Sequence, residues 1–474
     1  MIELRKYRKI TVNRILFFLG ILAGLIVIYK AATLSFTHDE SGTYLILHNH
    51  TIWQIFTHES AWWSANNHIL NTVLYKLSIR LLGHSDFAMR LPNVLAFWAC
   101  LLVALWLINK KLINPISKFV LFAILFLNPF ILDFYSLCRG YGLSMFFHFA
   151  FLTCIWHFKD KKSIPILYIA YALLTLACLS LLTNLVLFPT YSLALWAMCS
   201  SGQPNRNLKK HLILAPVISG IITLSLVAKP IIYLIKYNEF EFGVASIWDS
   251  FKSLIQRTFS ILPRQDFMWA HDILTILFLL IIIYVLYFSL KERKNMFFSI
   301  SFIILIIILH ILCFGFGIMF PTERKATMYI PILALLLSNH LYSYKPAANR
   351  KTITNVIAFL GCILLLISNK LDRTTEWAYD RKTKDYILHI HDNTHNQPIV
   401  VLAEWWFTPT AEYYVKTLGL KNIVLLPYNK NFDLSRKPEM VISHTRQMMK
   451  NDEYILLDSD GEIGLYSKQY LPKN

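Results

Sequence analysis

Runs of apolar residues near the length of a bilayer crossing recur along this chain, and the loops between them are basic at every second position. No other feature constrains the fold as much. Eleven such runs are readable, at roughly 13–32, 91–109, 118–135, 141–158, 164–181, 183–200, 211–229, 272–290, 296–319, 326–343 and 352–369. Each is near the ~20 residues that a helix needs to cross the hydrocarbon core. With the N-terminus on the cytoplasmic side, the basic clusters all fall on that side: Lys110–Lys111, Lys159–Lys162, Arg206–Lys210, Lys291–Lys294 and Lys345–Lys351. That is the positive-inside pattern of a multi-pass membrane protein. The 474 residues are 56% hydrophobic and only 16% charged, too apolar for an ordinary soluble chain. The net charge of +18 is spread between the apolar runs and argues against a nucleic-acid partner.

The first run follows a basic start and is expected to be a retained signal anchor. The seven cysteines lie in or beside apolar segments without a CxxC pair, and read as small core residues. Residues 33–90 form a long outer loop. Leu45, Ile46, Trp53, Ile55, Phe56, then Leu70 to Leu81, recur at helical spacing, as in amphipathic interfacial helices. Trp53, Trp62 and Trp63 suit an aromatic belt.

Residues 371–474 are expected to form a small α/β domain outside the membrane, and residues 1–370 the membrane domain. In the tail, Pro398–Ala403 and Ile423–Leu426 are short apolar runs. Thr408-Pro409 opens a helical pattern that closes at Gly419. Tyr454–Leu457 and Ile463–Tyr466 flank Asp460-Gly461, a hairpin signal. The predicted class is an all-α polytopic membrane protein of about 11 transmembrane helices with a small C-terminal extracytoplasmic α/β domain.

Asp39 and Glu40 stand side by side just beyond the first run. A carboxylate pair at a membrane exit is either an acidic helix cap or a group that meets a substrate, and charge at that boundary favours use. Asn66-Asn67-His68 and Asn71, near Trp62, offer amide, imidazole and indole groups suited to sugars, or else turn and cap chemistry. Arg139, with Tyr141, opens a span; it can pair with Asp133 or hold a phosphate. Arg324 and Lys325 are cations on the side opposite the basic loops, where a lipid phosphate or simple snorkelling accounts for them. Arg257 and Arg264 can serve the same anion. His389, His391 and His395 have a spacing that could bind a metal, but loop histidines are common.

Taken together these residues resemble the GT-C superfamily of membrane glycosyltransferases, in its family 39, protein-mannosyltransferase-like and aminoarabinose-transferase-like branch. Four motifs carry the resemblance in order: Asp39-Glu40 with Tyr44, Arg90-Leu91-Pro92-Asn93, Arg139 with Tyr141, and Arg324 ahead of Pro331. Asn66–Asn71 stands where many relatives have a Pro-Pro-Leu stretch. The resemblance covers roughly residues 1–370 and implies a GT-C-like fold. It implies an inverting glycosyltransferase that moves a hexose or pentose from a polyprenyl-phosphate donor to an acceptor hydroxyl on the outer face of a bacterial inner membrane.

In that scheme Asp39 is the base, and Glu40 orients the acceptor or the base. Tyr44, Trp62, Asn66, Asn67, His68, Arg139 and Tyr141 bind substrate. Arg324, Lys325, Arg257 and Arg264 bind the donor phosphate. No cofactor is expected, with a divalent metal left open. The acceptor, whether lipid, glycan or protein, is unspecified, and membrane lipids are the surrounding partners. The alternative is a membrane transporter or flippase for a lipid-linked sugar, which would tend to bind near mid-membrane.

Overall fold

The computed structural model describes residues 2–57, 66–200, 206–237, 243–260, 267–292, 296–343, 348–394, 397–427, 432–448 and 451–468. Trp62, Trp63, Arg264 and His395 lie outside the described residues. The helices in chain order are α1 (Ile2–Thr33), α2 (His38–Leu47), α3 (Ile52–Thr57), α4 (Ile69–Leu82), α5 (Asp86–Lys111), α6 (Pro115–Phe126), α7 (Pro129–Tyr135), α8 (Gly140–Lys161), α9 (Ile164–Ser180), α10 (Leu187–Ser200), α11 (Arg206–Lys236), α12 (Ile247–Thr258), α13 (Met268–Lys291), α14 (Met296–Phe316), α15 (Ile330–Ser343), α16 (Ala348–Ile367), α17 (Thr383–Asn393), α18 (Thr408–Thr417) and α19 (Thr445–Met448). Contacts divide the chain into a membrane unit, Met1–Ala31 with Thr51–Lys370, and a tail unit, Ala32–His50 with Leu371–Asn474. The segment carrying Asp39 and Glu40 thus packs with the tail.

Among the described residues of the membrane unit, seven helices are long and apolar enough to cross a membrane, and a bent pair makes an eighth. Ile164–Ser180 and Ala358–Ile367 are apolar but shorter. The protein is therefore a multi-pass membrane protein. The expected span at 326–343 is divided: Glu323–Tyr329 is a 3-10 turn and only Ile330–Ser343 is α-helix. The expected span at 118–135 is the bent pair, α6 and α7, with a 53° angle between them. The break has a local cause. Asn128 accepts from the Phe130 N–H at 3.1 Å, which caps a new helix, and Pro129 cannot donate to continue the old one.

Burial separates centre from rim. The spanning window of α8 is 78% buried and that of α13 only 22%, so α8 lies in the core of the unit and α13 at its rim. Among the described residues of this unit, Lys30, Arg90, Lys118, Asp133 and Arg139 are buried charged groups. Lys30, in the last turn of α1, pairs with Asp133 of α7, both nearly inaccessible. Arg90 is fully buried and donates to the Ala31 carbonyl at 3.3 Å.

The tail unit holds a five-stranded sheet: β1 (Ile399–Ala403), β2 (Ile423–Leu425), β3 (Met440–His444), β4 (Tyr454–Ser459) and β5 (Ile463–Lys468), in the order β2-β1-β3-β5-β4. β1 runs parallel to β2 and β3; β5 is antiparallel to β3 and β4. The hairpin turns at Asp460-Gly461, where Gly461 has φ +93°, a value that favours glycine. Leu402, Val441, Met448, Tyr454 and Tyr466 form a core on the sheet.

Candidate functional site

The turn that opens α2 is built by its own sequence. Thr37 is the N-cap: its hydroxyl accepts from the Glu40 N–H at 3.4 Å, and Glu40 Oε2 accepts from the Thr37 N–H at 2.9 Å. This reciprocal capping box buries Glu40 to 1% exposure and commits one of its carboxylate oxygens to the helix start. Asp39, next in line, is half-buried. The same turn is fastened to the rest of the tail unit. Phe36 N–H donates to Tyr414 Oη at 2.7 Å, and Phe36 stacks on Tyr413 at 4.4 Å. Tyr44 is buried between Tyr413 and His48. Asp380, 1% exposed, accepts from the His38 N–H at 2.6 Å. Burial pushes the Asp380 carboxyl well above the usual range and the nearby Asp39 charge pushes the same way, against bonds from His38, Thr410 and Thr383. Two carboxyl groups thus lie close to one turn, and burial works against the charge of the inner one.

The other expected residues lie in the membrane unit. His68 Nδ1 donates to the Ser180 carbonyl at 2.9 Å, which leaves Nε2 as the accepting ring atom. Asn67 is buried, donating to the Ile55 carbonyl at 3.2 Å and accepting from Thr72 at 3.1 Å. Asn71 joins the Cys138 carbonyl to Asn93, whose Oδ1 accepts from the Leu143 N–H. Arg139 is 1% exposed, donates to the Asn66 carbonyl at 3.4 Å, and lies 5.9 Å from the Tyr141 ring. Gly140 lets these pieces close: a Cβ there would collide with the Ser180 carbonyl and His68.

Asn67, His68, Tyr141 and Lys325 line one cavity of about 430 Å3. The rest of its wall is mostly apolar, from Leu181, Ile231, Ile308, Leu312 and neighbours. The cavity therefore brings together residues separated by more than 250 positions in sequence (67 to 325). Arg324 is half-buried on the same 3-10 turn as Lys325. Arg257 forms an ion pair at 2.7 Å with Glu323, on the same 3-10 turn as Arg324 and Lys325. Asp133, the alternative partner weighed for Arg139, pairs with Lys30. His391 meets Asn422 Oδ1 at 2.6 Å.

No protein-family model matches the sequence, and no curated protein matches it. Among solved structures, ArnT from Cupriavidus metallidurans in the apo state aligns with a TM-score of 0.50 at 13% identity, over 95% of this chain and 97% of that one. The chain has the GT-C fold. The same ArnT bound to undecaprenyl phosphate gives 0.49 at 11% identity, over 96% and 98%. Archaeal oligosaccharyltransferase AglB from Archaeoglobus fulgidus, with an inhibitory peptide and a dolichol-phosphate, gives 0.49 at 11%, over 99% and 75%. What this chain shares with the apo ArnT at 13% identity is the fold.

Sequence reasoning missed Lys30, Asp380 and the whole of β3. A lysine in the last turn of an apolar span is itself a signal. Asp380 and β3 gave none, because one is a single carboxylate in a polar stretch and the other a short run behind Lys437-Pro438.

Proposed function

We propose that the protein is an inverting glycosyltransferase that moves a monosaccharide from a polyprenyl-phosphate donor to an acceptor hydroxyl on the outer face of a bacterial inner membrane. The observation that carries this reading is the cavity of the membrane unit. Its wall is mostly isoprenoid-like in polarity, with a lysine, an imidazole, an amide and a phenol set into it. A lipid tail needs the former, and a phosphate with its sugar needs the latter. In this reading residues 1–370 are the membrane domain and residues 371–474 an extracytoplasmic cap, with the N-terminus in the cytoplasm.

The chemistry follows from the residue types. The acceptor oxygen forms a new bond to the anomeric carbon as the bond from that carbon to the phosphate oxygen breaks. Asp39 takes the acceptor proton. The phosphate leaves as a stable anion and needs positive charge rather than an acid; Lys325, Arg324 and Arg139 provide it, while Arg257 already answers Glu323. Glu40 acts on Asp39 through the capping box that sets the first turn of α2. Asn66, Asn67, His68 and Tyr141 address the sugar, and Tyr44 supports α2.

The test is mass analysis of cell-envelope glycans from cells carrying wild-type protein, no protein, or Asp39→Asn. The expected result is one monosaccharide increment that disappears in the last two. Retention of that increment in cells with folded Asp39→Asn protein at wild-type level removes the proposed base.

A further inference from the structure

The tail unit contains a second constellation that the reaction above does not use. β1 and β3 are parallel neighbours, paired Val401↔Met440 through Ala403↔Ile442. Beyond β1 the chain passes through α18 to β2 on one flank of the sheet. Beyond β3 it passes through α19 to β4 and β5 on the other flank. The connections diverge, which makes the carboxyl ends of the two strands a topological switch point, where open α/β sheets form their ligand crevice.

Glu404 directly follows β1 at that switch point, with its side chain 3% exposed. Its carboxylate accepts from Ser443 Oγ at 2.8 Å, His444 N–H at 2.9 Å, His444 Nδ1 at 3.0 Å and Gln447 Nε2 at 3.3 Å. Burial pushes the Glu404 carboxyl up, but the bonds from His444 and Ser443 outweigh it and hold the group below its usual range. A carboxylate oxygen only accepts, so Nδ1 of His444 carries the proton of that bond, and Nε2 is the acceptor of the neutral ring. The His444 side chain is 33% exposed, so the imidazole reaches from the buried carboxylate toward solvent.

An aromatic wall adjoins it. Trp405 and Trp406 follow Glu404 directly, are half-buried, and have ring centroids 3.8 Å apart. Tyr379 meets Trp406 edge-on at 5.2 Å, and Phe407 lies 5.1 Å from His444. His38 Nδ1 donates to the Trp406 carbonyl at 2.9 Å. His38 directly precedes Asp39, so the aromatic wall and the α2 turn are one construction.

We propose that this crevice is a pyranose-binding subsite, which holds the sugar of a glycan acceptor; that the bound sugar is an acceptor rests on the transferase reading above. Aromatic faces receive the C–H face of a pyranose, and a carboxylate-backed imidazole receives one of its hydroxyl protons. A buried carboxylate disfavours an anionic ligand, and a single imidazole is too few ligands for a metal.

The experiment uses full-length protein in nanodiscs, titrated with the methyl pyranosides of glucose, galactose, mannose and N-acetylglucosamine and read by saturation-transfer NMR. At least one is expected to bind with a Kd on the order of millimolar. Trp405→Ala and His444→Ala should each weaken it about fivefold or more, while Trp405→Phe stays within about twofold. Trp405→Ala controls for any unfolding caused by loss of the Glu404 partner in His444→Ala. In transfer assays with envelope glycan, Trp405→Ala should raise the acceptor KM and leave kcat intact. Absence of binding by all four glycosides, or binding and KM unchanged in both alanine variants, overturns the subsite. Glycoside binding that is lost in Trp405→Ala, in a protein that transfers no sugar, upholds the subsite as a glycan site and removes the transferase reading.

Discussion

The two units bury carboxylates by different means. In the membrane unit Asp133 is held by a full opposite charge, Lys30, with both side chains sealed from solvent. In the tail unit Glu404 is held by a hydroxyl, a backbone N–H, an imidazole and an amide, and Glu40 accepts the backbone N–H of its own capping box. The difference follows from the surroundings. Among apolar helices few dipoles are to spare, because each helix spends its backbone groups internally, so a buried charge needs a counter-charge. At the ends of parallel strands and at a helix start, unspent N–H groups point outward and do the same task.

The largest effect is expected at Asp39, which is half-buried where the other carboxylates are sealed. Asp39→Asn should lower sugar transfer by about 10²–10⁴-fold with unfolding behaviour unchanged. A fall in stability instead would make Asp39 one more structural carboxylate and erase its contrast with Glu40.

Next comes the ion pair. Lys30→Met leaves Asp133 buried opposite an apolar chain and should cost about 3–5 kcal/mol, measured by unfolding in detergent. Adding Asp133→Leu should return most of that loss; a double variant as unstable as the single one would show that the pair does not act as a unit. Glu404→Gln should cost less, about 1–3 kcal/mol, because the amide keeps some of the bonds. A larger loss than for Lys30→Met would break the contrast between the units. Thr37→Ala removes the cap of α2 and should cost about 1 kcal/mol.

The smallest effects are those of pH, and they run in opposite directions within the tail unit. Glu404 has a folded value below its ordinary 4.5. Its contribution is therefore complete above 4.5 and is lost as pH falls through the lower folded value. Asp380 has a folded value well above its ordinary 3.8. Its contribution is complete below 3.8 and declines as pH rises toward the folded value. Thermal unfolding against pH should therefore lose its acid-side decline in Glu404→Gln and its decline above 3.8 in Asp380→Asn. A variant that keeps the slope it should lose refutes the assignment.

Much of the candidate site was legible as residues but not as an arrangement. Asn67 and His68 stand out by type within the long outer loop, Tyr141 and Lys325 by position at span ends, and all four line one cavity. The ion pair of Arg257 with Glu323 is invisible in the sequence because it joins residues 66 positions apart. His444 and Glu404 carried no motif, since their meaning arises only when β1 and β3 lie side by side.

By itself the sequence determined that the chain is a multi-pass membrane protein and which local elements form in the tail: the proline-opened α18 and the hairpin at Asp460-Gly461. Periodicity, caps and turn residues act within one or two turns of chain, so a linear reading reaches them. Only the tertiary structure decided the partners of the buried charges and the grouping of Ala32–His50 with the tail. Lys30 and Asp133 are 103 residues apart, and Glu404 and His444 are 40. Such pairings are chosen by packing and by the cost of leaving a polar group unanswered, which no short stretch of sequence contains.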